Sequence, residues 1–89
     1  MAKVTDPVVF LNQGINLINK GKAAEALPIF EKVVTAFPKN PDGFYYRARC
    51  ELALGKFPEA KADLQKFIAM PGAEAAQVEE AKKILEQMK

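Results

Sequence analysis

Few side chains in this chain of 89 residues are suited to catalysis. The sequence has no histidine and no serine, and its single cysteine is Cys50. Nucleophilic and general acid–base catalysis most often use those side chains, and no glycine-rich phosphate-binding loop is present. We therefore expect neither an enzyme nor a cofactor. Without histidine or a second cysteine, the commonest zinc sites and an internal disulfide are excluded as well, so no metal is expected.

The remaining candidates are side chains that suit contact with another protein. Tyr45 and Arg49 are four residues apart, so a helix would place them on one face, and both residue types are enriched at binding hot spots. A second set is an apolar stripe at helical spacing, formed by Val8, Leu11, Ile15 and Ile18. These two sets predict a binding surface.

The elements that position these side chains are predicted to be helices, because apolar residues recur every three or four positions. Asp6-Pro7 and Asn40-Pro41 are typical helix starts, with a capping side chain followed by proline. Gly21 and Gly55 are expected to end helices in the left-handed conformation. Pro28 is expected to be a tolerated irregularity in the first turn of its helix. The predicted helices cover residues 7–20, 23–37, 41–54, the segment from the turn at residue 55 to residue 70, and 73–89.

The chain contains an internal repeat with an offset of 34 residues. In the first copy the pattern consists of Phe10, Gly14, Gly21, Ala26 and Phe30, and in the second of Phe44, Ala48, Gly55, Ala60 and Leu64. This order of large apolar, small, glycine, alanine and large apolar positions resembles the tetratricopeptide repeat (TPR) family. The second copy departs from the family pattern at Arg47 and Glu51, where leucine and tyrosine are favoured.

The resemblance implies an all-α fold. It is a short right-handed α-solenoid of two antiparallel helix hairpins and one capping helix, with five helices in total. The expected single domain consists of a frayed N-terminus (1–6), repeat 1 (7–40), repeat 2 (41–72) and the capping helix (73–89). The first helix of each hairpin would line a concave surface.

The resemblance also implies an interaction module that holds a peptide or a partner helix on that concave surface. The candidate partner-binding residues are Val8, Leu11, Ile15, Ile18, Asn19, Tyr45, Arg49 and Leu52. Some family members clamp a carboxylate there with polar and cationic side chains, but Leu11 and Ile15 occupy the matching places. The alternative is a structural or assembly element, in which the apolar stripe of the first helix is buried by a second copy or by neighbouring repeats.

Composition restricts the class of partner. The net charge is only +2 and the lysines are scattered among glutamates, which does not favour nucleic acid. The longest apolar run is far below the roughly 20 residues that a membrane span requires, and the first residues do not form a secretory signal. We therefore expect a soluble cytoplasmic protein that binds a protein or peptide or forms a homo-oligomer.

Overall fold

The computed structural model describes residues 6–88, which form five helices and no strand. The helices are α1 (Val8–Asn19), α2 (Ala23–Ala36), α3 (Pro41–Ala53), α4 (Phe57–Ala69) and α5 (Ala75–Gln87). Each helix packs against the next one along the chain, and α1 also contacts α3. The predicted all-α fold of two hairpins and a further helix is confirmed. Of the predicted frayed N-terminus, residues 1–5 lie outside the described part of the chain.

The two predicted helix starts each have a local capping contact. Asn40 precedes α3 and accepts a hydrogen bond from the backbone amide of Asp42 at 2.8 Å, with Pro41 as the first helical residue. At α1 the carboxylate of Asp6 accepts from the amide of Val8 at 2.9 Å, although the helix begins at Val8, one residue later than predicted. Each side chain satisfies an amide that the helix itself leaves unpaired.

Glycine ends the first helix of each hairpin. Gly21 and Gly55 adopt φ values of 75° and 76°, a region that side chains with a Cβ rarely enter. After each glycine the next amide, from Lys22 or Lys56, donates to a carbonyl of the preceding helix at 2.8 or 2.7 Å. The predicted turns are confirmed, and both reverse the chain in the same way.

Pro28 lies inside α2 and does not break it. Because α2 begins at Ala23, Pro28 falls in its second turn, not in the first turn as predicted. The helix continues to Ala36, so the missing amide proton at this position is accommodated within a regular helix.

Two hydrophobic clusters form the core. The first joins α1 and α2 to Cys50 of α3; its buried members are Leu11, Ala26, Leu27, Phe30, Val33 and Cys50. The second joins α3, α4 and α5; its buried members are Phe44, Tyr45, Ala48, Leu64, Phe67 and Ala81. Tyr46 packs against both clusters, so the two hairpins share one continuous core.

A salt bridge also connects α3 to α4. The guanidinium of Arg47 donates two hydrogen bonds to Asp63, from Nε to Oδ2 at 2.8 Å and from Nη2 to Oδ1 at 2.6 Å. Asp63 is buried and Arg47 is mostly covered. The cationic side chain at a position where the family favours leucine is therefore matched by a carboxylate on the facing helix.

Candidate functional site

The helix α3 presents the main candidate residues on one face. Tyr45, Arg49 and Leu52 follow each other at intervals of four and three residues, which is the spacing of neighbours on a helix surface. The cap at Asn40 fixes the start of this helix, and the turn at Gly55 fixes its end. Local sequence signals at both ends thus set which side chains share the face.

These three side chains meet α5 at a shallow depression. Its lining residues are Tyr45, Arg49 and Leu52 from α3 together with Glu80 and Ile84 from α5, and its volume is about 400 Å³. It offers an apolar surface, one cationic group and one anionic group within a small area. The capping helix therefore completes a surface that the sequence assigned to the first helices of the repeats.

Tyr45 forms the base of the depression and is only 6% exposed. Its ring lies 5.0 Å from the ring of Phe67 and 5.2 Å from that of Tyr46, measured between centroids. Burial raises the pKa of the Tyr45 phenol, and Glu80 adds to this effect while Arg49 opposes it. The phenol is therefore neutral at physiological pH.

Arg49 projects over the two tyrosines and is exposed. Its guanidinium carbon lies 6.0 Å from the centroid of the Tyr45 ring and 5.9 Å from that of Tyr46, which is within the range of a cation–π interaction. No carboxylate within the described residues forms an ion pair with it. The cation therefore lies beside both rings at the depression.

The candidate residues on α1 are placed differently. Leu11 is 7% exposed and belongs to the first core cluster, while Ile15 and Ile18 are partly buried against that cluster. Val8 is 50% exposed, and Asn19 is exposed as well. None of these side chains lines the depression between α3 and α5. The structure thus brings together Tyr45, Arg49 and Leu52 at the depression, whereas the stripe on α1 does not line it.

Sequence reasoning missed the contribution of α5 to this surface. Neither Glu80 nor Ile84 was among the candidate residues. The available signal was their spacing: Glu80 and Ile84 are four residues apart on a helix that follows the second hairpin, where a further repeat would place its first helix.

Residues 17–66 match the family model described as tetratricopeptide repeat. The match runs from the end of α1 through most of α4 and covers more than half of the 89 residues. Comparisons with curated proteins and with solved structures gave no match. Within residues 6–88, no helix is both long enough and apolar enough to cross a lipid bilayer. Repeats of this kind typically act as non-enzymatic modules that mediate protein–protein interaction. The helical architecture and the family match together lead to one conclusion: the chain belongs to the tetratricopeptide repeat family.

Proposed function

We propose that this protein binds a peptide or partner helix on its concave face, in the depression between α3 and α5. The observation that carries the proposal is the exposed Arg49, held over Tyr45 and Tyr46 beside apolar Leu52 and without an ion-pair partner in residues 6–88. A guanidinium that is fixed in position binds a carboxylate with well-defined geometry.

The shape and charge of the depression define the partner segment. An aliphatic side chain of the partner fits between Leu52 and Ile84, which line the same depression. An acidic side chain next to it pairs with Arg49, and a basic or hydrogen-bonding group faces Glu80. The exposed candidate residues on α1, Val8 and Asn19, would extend the contact if the partner segment is long enough to reach them.

Selection from a displayed library of random peptides, with the whole protein as bait, tests this function. We expect enriched peptides to combine an acidic residue with an aliphatic one. The Arg49→Ala variant should weaken their binding at least tenfold, because the charge pair and the stacked cation are both lost. Lys32→Ala is the matched control, since Lys32 is an exposed cation on α2, and it should leave affinity unchanged. Equal binding by the wild type and Arg49→Ala would contradict the assignment of the site.

A second candidate function is self-association through α1. Val8 and Val9 are 50% and 55% exposed, and α1 contains no charged residue from Val8 to Asn19, which is unusual for a helix in contact with water. Burial of this surface against a second copy would remove the exposed valines from solvent.

Light scattering over a dilution series, with circular dichroism on the same samples, distinguishes the two functions. A dimer through α1 loses mass on dilution, and Val9→Asp should shift its dissociation to higher protein concentration because a charge would be desolvated in the interface. A constant monomer mass in the wild type would exclude the assembly function and leave the concave face as the binding surface.

A further inference from the structure

Two carboxyl groups and one guanidinium are buried together between α3 and α4. Glu51 is 7% exposed and Asp63 is 6% exposed, and both face Arg47, which lies one helical turn before Glu51. Both carboxylate oxygens of Asp63 accept hydrogen bonds from Arg47. Glu51 is left without such a partner: its Oε1 is buried and accepts no hydrogen bond within the described residues.

The surroundings of Glu51 disfavour a negative charge. It lies in the last turn of α3, where the helix dipole is negative, and Asp63 and Glu59 of α4 are further carboxyl groups close enough to interact with it. Cys50 is its neighbour along α3 and carries no charge, because burial raises the pKa of that thiol to about 11. Glu31 of α2 interacts electrostatically with Arg47, and because it is itself acidic it adds no positive charge near Glu51. Arg47 is therefore the cation that serves both carboxyl groups.

We propose that Glu51 and Asp63 share one proton in the folded protein, so that the α3–α4 hairpin is a pH-sensitive clamp with Asp63 ionised against Arg47 and Glu51 neutral. The neutral carboxyl group of Glu51 can donate a hydrogen bond to the carboxylate of Asp63, so that both buried carboxyl groups have a hydrogen-bond partner. When that proton passes to solvent, two carboxylates face a single guanidinium in a mostly buried site, and the folded state is destabilised.

The direction of the pH dependence follows from the pKa values. Burial is the main cause that raises the pKa of Glu51 to about 8, from an ordinary value of 4.5, and the contact with Asp63 adds to it. Between these two values the folded state binds more protons than the unfolded state. The contribution of Glu51 to the free energy of unfolding is then complete below pH 4.5 and is lost as the pH rises through about 8. The absence of histidine leaves this part of the pH scale almost free of other titrating side chains.

Urea unfolding of the whole protein from pH 5.5 to pH 9 tests the clamp, with three chains compared. In the wild type the equilibrium constant for unfolding should rise by up to tenfold per pH unit in this range. In Glu51→Gln, which keeps the shape of the side chain and cannot ionise, the rise should be absent. Glu25→Gln removes an exposed carboxylate of α2 and should behave as the wild type does.

A direct titration keeps the proposal falsifiable if Glu51→Gln does not fold. The side-chain carboxyl ¹³C shift of Glu51 in the wild type should titrate near pH 8. Titration in the ordinary range near pH 4.5, or an unchanged pH dependence in Glu51→Gln, would overturn the proposal.

Discussion

At the scale of single residues, Gly14 is the most closely packed of the glycines in residues 6–88. A Cβ atom built on this glycine would lie 2.3 Å from Cζ of Phe30, and two further atoms of the same ring would lie within 2.8 Å. Phe30 is fully buried, so the ring has little room to move. Glycine costs about 1 kcal/mol relative to alanine inside a helix, and here that cost allows α1 and α2 to approach each other.

We predict that Gly14→Ala destabilises the protein by about 2 kcal/mol, because overpacking of the core outweighs the better helix propensity. Urea unfolding followed by circular dichroism measures the change. The Phe30→Leu background is the control, since a smaller side chain removes the contact. The same alanine substitution should cost clearly less there, and an equal cost in both backgrounds would show that the ring is not responsible.

Residue types and helical spacing predicted some of the side chains that line the depression. Tyr45 and Arg49 were selected because both are frequent at hot spots, and the structure does place them side by side at the depression. Leu11 was assigned to the same surface by its register on the helix, yet it lies in the core. A helix position at the edge of an apolar stripe can face the core or the solvent, and only the packing of α1 against α3 decides between them.

At the scale of helices, the pairing of α3 with α4 depends on charges as well as on apolar contacts. Arg47 and Glu51 depart from the family pattern, and in the sequence they appear only to weaken it. In the structure Arg47 pairs with Asp63 on the next helix. A helical repeat pattern gives the face of each residue but does not say which residue of a neighbouring helix it meets, so this pair was not predictable.

We predict that Asp63→Leu costs about 3 kcal/mol, because it leaves Arg47 without its buried partner. The triple variant Arg47→Leu/Glu51→Leu/Asp63→Leu, which also removes the buried carboxyl group that faces this pair, should lie within about 1 kcal/mol of the wild type, since apolar side chains often replace a buried ion pair without loss. Urea unfolding at pH 6 measures both. For comparison, Lys82→Ala removes an exposed pair with Glu79 at 3.8 Å and should change stability by less than about 0.5 kcal/mol. A triple variant as unstable as Asp63→Leu would argue against this account.

At the scale of the whole molecule, α5 closes the second hydrophobic cluster. Ala81 is completely buried, and four further side chains of this segment pack against the same cluster: Val78, Ile84, Leu85 and Met88. The family resemblance predicted a capping helix here, whereas its share in the depression was not predicted, because all candidate residues were taken from the two hairpins that precede α5.

We predict that Ala81→Asp abolishes cooperative thermal unfolding, because it places an unpaired charge in the core. Circular dichroism melting curves measure the effect. Lys83→Asp introduces the same side chain at an exposed position two residues away and should retain a melting temperature close to that of the wild type. Retention of a normal transition by Ala81→Asp would mean that α5 is not essential to the fold.

Because Arg49 lies over two phenol rings, the intrinsic tyrosine fluorescence of the protein is sensitive to the position of this side chain. The sequence contains two tyrosines and no tryptophan, and both tyrosines lie about 6 Å from this one guanidinium. All of the tyrosine emission therefore originates beside the proposed binding surface. A ligand without tyrosine or tryptophan that draws Arg49 away from the rings should change the emission intensity, so its binding can be followed on the unlabelled protein.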